Sequence, residues 1–195
     1  MGSEAQPFRS IVETQARELQ AAVQGLPGEV PAVLAIAEAA VAALRAGRKV
    51  LCAGNGGSAA DALHMAEELV GRYKSSRAAL PAVSLAADAT ALTCIGNDFG
   101  FAQIFSRQVE ALGAPGDLLV LFSTSGNSEN LLAAARAARA KGVAVVGFLG
   151  KGGGPLAPLC DLKWIVPSPT GARIQELHTW AMHCVLECVE AAFPA

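Results

Sequence analysis

Short runs of Val, Leu and Ile alternate with helical segments along the chain, and this alternation limits the fold more than any other feature. The run at residues 49–53 leads through a glycine-rich loop into a helical segment at 59–70, and the run at 117–122 leads through a hydroxyl-rich loop into one at 129–140. Continuous apolar strands separated by helices are typical of a parallel sheet that is buried on both faces. The sequence therefore predicts a doubly wound α/β sandwich. Further strands are predicted at residues 82–86, 143–149 and 162–166.

Helical segments flank this alternating region. Two of them, at residues 4–24 and 31–46, precede the first strand, and a third, at residues 173–192, follows the last one. Because no Gly/Pro-rich stretch longer than a loop interrupts the pattern, we expect a single domain. It would comprise N-terminal helices at residues 1–46 and the sandwich at residues 47–195.

Composition and charge argue against nucleic-acid and membrane partners. Fifteen basic and seventeen acidic residues give a net charge of −2, and the basic residues form no cluster. The apolar runs have the length of strands, so we expect none to span a bilayer, and the N-terminus lacks the apolar stretch of a signal peptide. Five cysteines lie scattered without any C-x-x-C, which predicts reduced, buried thiols. We therefore predict a cytoplasmic protein.

The loops that follow two of the strands are candidates for binding an anion, since ligands of parallel sheets bind at the carboxyl ends of the strands. Residues 54–58 read Gly-Asn-Gly-Gly-Ser and offer backbone amides at a helix start, and residues 123–128 read Ser-Thr-Ser-Gly-Asn-Ser and add four hydroxyls. Neither loop has the spacing of a dinucleotide-binding or Walker motif. Both suit a phosphate, although turn formation and helix capping also explain the glycines and one hydroxyl.

One helix carries a histidine and a carboxylate on the same face. His64 and Glu68 are four residues apart, so they lie within one helical turn of each other. Imidazole and carboxylate are both good ligands for Zn²⁺ or a similar ion. By itself this spacing also fits an ordinary pair that stabilises the helix surface.

The last helix holds two of the chain's three histidines, His178 and His183, among apolar residues. Polar groups in a largely apolar helix need partners. The spacing places His183 near the face of both Gln175 and Glu176, and away from His178. It does not decide which acidic or amide side chain accompanies His183.

In combination, these segments resemble the phosphoheptose isomerase family, which has the sugar isomerase (SIS) fold. The hydroxyl loop alone indicates only the SIS fold, whereas the His/Glu helix together with the Arg-Ile-Gln-Glu helix narrows the resemblance to this family. The similarity extends from the N-terminal helices to the last helix. Its motifs are GNGGSAAD at residues 54–61, HMAEELVGRY at 64–73, GND at 96–98, STSGNS at 123–128, and RIQELH at 173–178 with His183.

The resemblance implies conversion of the ketose sedoheptulose 7-phosphate to the aldose D-glycero-D-manno-heptose 7-phosphate, a precursor of lipopolysaccharide or capsule. It further implies one zinc ion per subunit and a homotetramer with sites at subunit boundaries, where Arg72 reaches a neighbouring site. Glu68 and His183 would carry the proton transfers. The implied zinc ligands are His64, Glu68, Gln175 and His183. The implied substrate contacts are Asn55, Gly56, Gly57, Ser58, Glu68, Asn97, Asp98, Ser123, Thr124, Ser125, Ser128 and Gln175.

Two other functions stay open at this point. One is a binding or regulatory protein of the SIS type, such as a partner of the bacterial replication initiator. The other is an isomerase of a different sugar phosphate, such as arabinose 5-phosphate. The presence of both Glu68 and His183 disfavours the first, because a regulator has no chemical need for an acid and a base. The Arg-Ile-Gln-Glu helix disfavours the second.

Overall fold

The computed structural model describes residues 5–194, and in this range five strands alternate with helices. The α-helices are α1 (Ala5–Gln24), α2 (Val30–Arg45), α3 (Gly57–Val70), α4 (Ala89–Phe99), α5 (Ser106–Leu112), α6 (Glu129–Ala140) and α7 (Gly171–Ala192). The strands are β1 (Val50–Gly54), β2 (Ala82–Ser84), β3 (Leu118–Ser123), β4 (Ala144–Gly150) and β5 (Leu162–Val166).

The strands form one sheet in the order β2-β1-β3-β4-β5, and every neighbouring pair is parallel. All residues of β1 and β3 are buried, as expected of central strands with helices on both faces. The predicted α/β sandwich is confirmed. After β1 the chain continues to β2 at one edge of the sheet, and after β3 it continues to β4 on the opposite side. The loops that follow β1 and β3 therefore diverge at the switch point of the sheet, where a ligand crevice forms.

Two apolar clusters fill the space on either side of the sheet, because alternate residues of each strand point to opposite faces. In β1, Val50 and Cys52 belong to the cluster under α2, α3 and α7, whereas Leu51 and Ala53 belong to the cluster under α5 and α6. The rings of Phe122 and Phe148 stack in the first cluster with their centroids 4.9 Å apart. Helices α3 and α7 therefore lie on the same face of the sheet.

The element boundaries differ from the predicted ones by at most two residues, and β2 ends at Ser84 rather than at residue 86. Helices α3 and α7 begin at Gly57 and Gly171, two residues before the predicted starts, because the amides of a first helical turn need no helical partner and glycine is tolerated there. Helix α5 was not predicted, since its seven residues are too few to show a helical period. Glu4, the predicted first residue of α1, lies outside the described residues.

One segment of the described chain, Leu26–Arg45, is long and apolar enough to cross a membrane by length and composition, with a mean hydropathy of 1.5. The expectation that no apolar stretch reaches this length was wrong. Along α2, Ile36, Ala40 and Leu44 are buried in the cluster that α2 shares with α7. Since core helices of globular domains pass the same test, the segment is weak evidence for a membrane partner.

The five cysteines are free thiols, but only two of them are fully buried. Burial raises the pKa of Cys52 to about 12 and that of Cys160 to about 11, so both are inert thiols. Cys184 is half-buried, whereas Cys94 and Cys188 are exposed. The prediction that all five thiols are buried was therefore wrong for these three.

Near the end of α7, the buried Glu190 side chain accepts hydrogen bonds from the loop that follows α3. Its carboxylate accepts hydrogen bonds from the backbone amides of Tyr73 and Lys74, both at 2.9 Å, and from the amide of Ser75 at 3.1 Å. The Ser75 hydroxyl donates a further bond at 3.2 Å. The guanidinium of Arg77, on the same loop, donates to the carbonyl of Glu68 at 2.6 Å. Glu190 thus fixes the loop to α7, and Arg77 fixes it to the end of α3.

We expect Glu190→Gln to lower the free energy of unfolding at neutral pH and to weaken its dependence on acid pH. Burial by itself would raise the pKa of Glu190, but the amides of Lys74, Ser75 and Tyr73 together lower it. A depressed carboxyl pKa contributes stability above the unfolded-state value of about 4.3 and loses it as the pH falls through the folded-state value. Denaturant unfolding of both proteins at pH 7 and at successively lower pH measures this difference.

The matched control for this experiment is Glu187→Gln, one turn earlier on α7. Glu187 also accepts from the loop, through Lys74 Nζ at 2.8 Å, but both side chains are exposed. Such pairs contribute little to stability. An equal loss of stability in both variants at pH 7 would contradict the special role of Glu190.

Candidate functional site

A cavity of about 110 Å³ opens at the switch point between β1 and β3. The glycine loop contributes Asn55 and Ser58 to its wall. Because this cavity lies at the starts of α3 and α6, the positive ends of both helix dipoles are close to it. The cavity therefore suits a small anion. Its other lining residues are Phe122, Ser123, Thr124, Ser125, Ser128 and Leu131.

The hydrogen bonds of the hydroxyl loop leave its protons available to a ligand. Ser123 Oγ accepts from the amide of Gly126 at 3.0 Å, and Ser125 Oγ accepts from the amide of Asn127 at 3.3 Å. A hydroxyl that accepts a bond can still donate its own proton. Ser128 lies at the N-cap of α6 but makes no side-chain capping bond. Helix capping therefore does not account for the four hydroxyls.

A reciprocal amide pair joins the glycine loop to α6. Asn55 Nδ2 donates to Asn130 Oδ1 at 2.9 Å, and Asn130 Nδ2 donates to Asn55 Oδ1 at 2.8 Å. Asn130 is 1% exposed, so neither bond competes with bulk water at that end. The pair holds the glycine loop against the first turn of α6.

A second polar group lies where α3, α7 and the loop after α3 meet. His64 Nε2 and Glu68 Oε1 are 3.2 Å apart on α3. The ring of His183, on α7, approaches the His64 ring edge-on with the centroids 5.1 Å apart. The ring of Tyr73, on the loop after α3, lies 5.4 Å from that of His183. Two imidazoles and one carboxylate therefore converge from separate elements.

The environment of His183 favours its neutral form. Burial lowers the pKa of His183, and the positive charges of His64 and Lys74 lower it further, against the opposing effect of Glu68. A neutral imidazole has one nitrogen that accepts a proton or binds a metal and one that donates. His183 can thus serve as a ligand or as a proton carrier near neutral pH.

The side-chain amide of Gln175 packs directly over the start of α3. A Cβ atom at Gly57 would lie 2.3 Å from Gln175 Oε1 and 2.4 Å from Gln175 Nε2, closer than such contacts occur. Glycine at this position therefore makes room for the amide. Gln175 links the glycine loop to the face of α7 that carries His183, eight residues further along.

The donor set around His64 fits a divalent metal ion of the zinc type. Ligand atoms of His64, Glu67 and Glu68 lie within 4.8 Å of one another, and His183 is adjacent. Nitrogen and carboxylate donors of this kind are those that zinc binds. Glu67, which the sequence did not predict, is exposed, whereas Glu68 and both histidines are half-buried. The half-buried groups form the better enclosed set.

Comparison with known proteins identifies the family of the chain. The family profile described as the SIS domain matches residues 6–150. A phosphoheptose isomerase of Campylobacter concisus is 55% identical over 150 residues, which cover 77% of this chain and 79% of that protein. This chain belongs to the phosphoheptose isomerase family.

Solved structures of phosphoheptose isomerases support this membership. The structure from Neisseria gonorrhoeae has a TM-score of 0.89 at 40% identity and covers 94% of this chain and 99% of its own, and that from Francisella tularensis has a TM-score of 0.90 at 35% identity and covers 95% and 98%.

In this phosphoheptose isomerase family member, most of the predicted site residues form two sets. One set surrounds the cavity, and the other, which contains the two histidines, lies between α3 and α7. Gly57, at the start of α3, contacts the side-chain amide of Gln175 on α7. Gly56, with a φ of 57°, forms the N-cap of α3 and is exposed. The predicted residues that line the cavity are Asn55, Ser58, Ser123, Thr124, Ser125 and Ser128.

Asn97 and Asp98 belong to neither set. They are exposed on α4, where Asn97 Nδ2 donates to Asp98 Oδ1 at 2.7 Å, and neither lines the cavity. Helix α4 contains no buried residue. Arg72 is likewise exposed. A contact of these side chains with substrate would need a further surface to close over α4.

The candidate partners in the last helix have different environments. Glu176 is exposed and pairs with Arg173 Nη2 at 2.6 Å. His178 is fully buried, and its Nε2 lies 3.1 Å from the carbonyl oxygen of Leu149. Glu176 is therefore turned to solvent, whereas Gln175 is half-buried with its amide against the start of α3.

Sequence reasoning missed the residues that join distant segments. Asn130 pairs with Asn55 from 75 positions away, and Tyr73, the only tyrosine, packs against His183 from the loop after α3. Phe122 and Leu131 complete the cavity wall. A buried asparagine in the first turn of α6 was the one local signal, because a polar side chain inside an apolar helix face needs a partner.

Proposed function

We propose that this protein is an aldose–ketose isomerase that converts sedoheptulose 7-phosphate to D-glycero-D-manno-heptose 7-phosphate. The observation that carries the proposal is the convergence of Glu68 and the neutral His183 between α3 and α7, on a helix, α3, whose first turn lines the hydroxyl cavity. A base, an acid and a distant phosphate anchor are the groups that this reaction needs. Phosphoheptose isomerases that are 35–55% identical to the chain support the choice of substrate.

The hydroxyl loop anchors the phosphate in this proposal. Ser123 and Ser125 each accept a backbone amide and retain a proton for a phosphate oxygen. The dipole of α6 adds a favourable field at the same place. Binding energy gained at the phosphate then positions the carbons at the other end of the sugar.

The proton transfers belong to Glu68 and His183. Glu68 removes a proton from C1 of the ketose and returns it to C2, so an enediol lies between the two steps. His183 in its neutral form donates a proton to the oxygen on C2 and accepts one from the oxygen on C1. The bonds balance, because one hydrogen moves between carbons and one between oxygens. Each role is expected to contribute about 10²- to 10⁴-fold to the rate.

Zinc is part of the proposal. The residues that would hold it are His64, Glu68, Gln175 and His183. When bound, the ion supplies Lewis acidity that polarises the substrate carbonyl. The half-buried position of the three titratable ligands excludes part of the competing water.

We further propose a cytoplasmic homotetramer whose product belongs to lipopolysaccharide or capsule synthesis. Exposed apolar side chains support the assembly: Phe8 and Val12 on α1 are both 67% exposed. Apolar patches of this kind mark contact surfaces. Leu34 on α2 and Cys188 on α7 line an apolar cleft of about 140 Å³ that a second subunit would fill. We also propose that the exposed α4, with Asn97 and Asp98, lies near a subunit boundary.

Turnover of sedoheptulose 7-phosphate by the purified protein tests the proposal, with and without prior chelation and with zinc added back. We expect aldose to form, to disappear on chelation and to return with zinc. Activity that survives a verified loss of metal would retain the isomerase and remove the zinc site. Complete inactivity with added zinc would contradict the proposal and favour a binding protein of the SIS type.

A further inference from the structure

A buried carboxylate bridges α3 and α7 next to the proposed metal ligands. Asp61 is 5% exposed, and its Oδ1 accepts a hydrogen bond from the Thr179 hydroxyl at 3.0 Å. Within the described part of the chain, its Oδ2 is buried and has no hydrogen-bond partner. The apolar positions around it do not explain a carboxylate, because burial of an unpaired acceptor costs about 1–3 kcal/mol.

The two residues lie on the faces that carry the ligands. Asp61 precedes His64 by three residues and Glu68 by seven, so all three lie on one side of α3. Thr179 lies midway between Gln175 and His183, four residues from each. The contact therefore joins the ligand-bearing faces of the two helices.

Thr179 also ties the bridge to the backbone of a proposed ligand. Its hydroxyl approaches the carbonyl oxygen of Gln175 at 3.3 Å, so the single proton is shared between that carbonyl and Asp61. The hydroxyl cannot rotate to another acceptor without losing both contacts. Asp61 is thereby held in one orientation relative to α7.

The charge of Asp61 is close enough to act on the site. Burial raises the pKa of Asp61, whereas the Thr179 hydroxyl and the positive charge of His64 oppose that increase. A cation between α3 and α7 would oppose it in the same way. Carboxylates and hydroxyls behind a ligand set fix the ligands and increase metal affinity, and their removal typically costs about 10- to 100-fold.

We propose that Asp61, anchored by Thr179, is a positioning residue that holds α3 and α7 in the register required for metal binding and places a buried negative charge behind the ligands. The inference rests on the metal site of the proposed function. It assigns no contact with substrate to either residue. It explains why a buried carboxylate between the two helices keeps one oxygen without a hydrogen-bond partner among the described residues.

The test measures the dissociation constant of Zn²⁺ by competition with a chromophoric chelator for wild type, Asp61→Asn, Thr179→Val and Thr179→Ser. We expect Asp61→Asn to weaken binding about tenfold or more, since it keeps the shape but removes the charge. Thr179→Val should weaken it by a smaller factor, and Thr179→Ser, which retains the hydroxyl, should restore it. The visible spectrum of the Co²⁺-loaded proteins reports whether the ligand geometry changes in the same order.

A matched control removes a buried hydroxyl elsewhere. Ser106 on α5 is 3% exposed, and its hydroxyl bonds to Gln103 Oε1 at 2.6 Å on the opposite face of the sheet. Ser106→Ala is expected to alter the melting temperature without altering Zn²⁺ affinity. Wild-type affinity in both Asp61→Asn and Thr179→Val would overturn the inference and leave the proposed metal site intact. A wild-type protein that binds no Zn²⁺ would overturn the inference and the zinc part of the proposed function together, while turnover without metal would still preserve the isomerase.

Discussion

Replacement of Glu68 by glutamine is expected to lower kcat about 10²- to 10⁴-fold while the protein stays folded. Glutamine has the same shape, but its amide cannot take a proton from carbon, so the loss falls on the chemical step. Glu68 is half-buried and faces His64 at 3.2 Å, a contact that the glutamine oxygen can retain. Steady-state kinetics with sedoheptulose 7-phosphate, together with thermal unfolding, measure both parts of the expectation.

Two other carboxylates make the Glu68 experiment specific. Glu110→Gln changes an exposed carboxylate on α5, away from α3, and is expected to leave kcat unchanged. Glu67→Gln changes the exposed neighbour of Glu68 that also lies within reach of His64. A larger loss in Glu67→Gln than in Glu68→Gln would move the base to Glu67. Retention of turnover in Glu68→Gln would remove Glu68 from the proposed chemistry.

The class of fold was predictable because its signal is local. Each central strand is a continuous apolar run, and each is followed by a glycine or hydroxyl loop and a helix. The order of these elements could therefore be predicted from the sequence. Helix α6 has the predicted bounds, Glu129–Ala140. Helix α5 escaped prediction because seven residues do not establish a period, and the order of the strands depends on pairing between distant segments.

The candidate site was predictable only in part, for the same reason. Spacing put His64 and Glu68 on one face of α3, but it left the choice between Gln175 and Glu176 open, because these two side chains differ only in their tertiary surroundings. Contacts such as the Asn55–Asn130 amide pair join residues 75 positions apart, and no local pattern encodes them. Positions of this kind follow from the strand order, which brings the loops after β1 and β3 together.

The glycine at the start of α3 offers a test that separates activity from stability. We expect Gly57→Ala to reduce kcat/KM for sedoheptulose 7-phosphate about 100-fold while stability is unchanged or slightly higher. The new methyl group would lie 2.3 Å from Gln175 Oε1, so the amide must move away from the glycine loop. The far end of a long side chain moves at little cost, but a displacement of about 1 Å in a site can cost about 10²-fold in rate.

The stability half of this expectation follows from the backbone. Gly57 has no positive φ and occupies the first turn of α3, where alanine restricts the unfolded chain and stabilises by about 0.4–1 kcal/mol. Gly171 occupies the same position of α7, and a methyl group added there would meet no other atom within 4 Å, so Gly171→Ala should show the same change in stability with full activity. The experiment therefore compares kcat/KM and the free energy of unfolding between the two variants. Equal activity in the two alanine variants would mean that the position of the Gln175 amide does not matter for turnover. Gln175 would then be removed from the proposed zinc ligands and from the proposed substrate contacts.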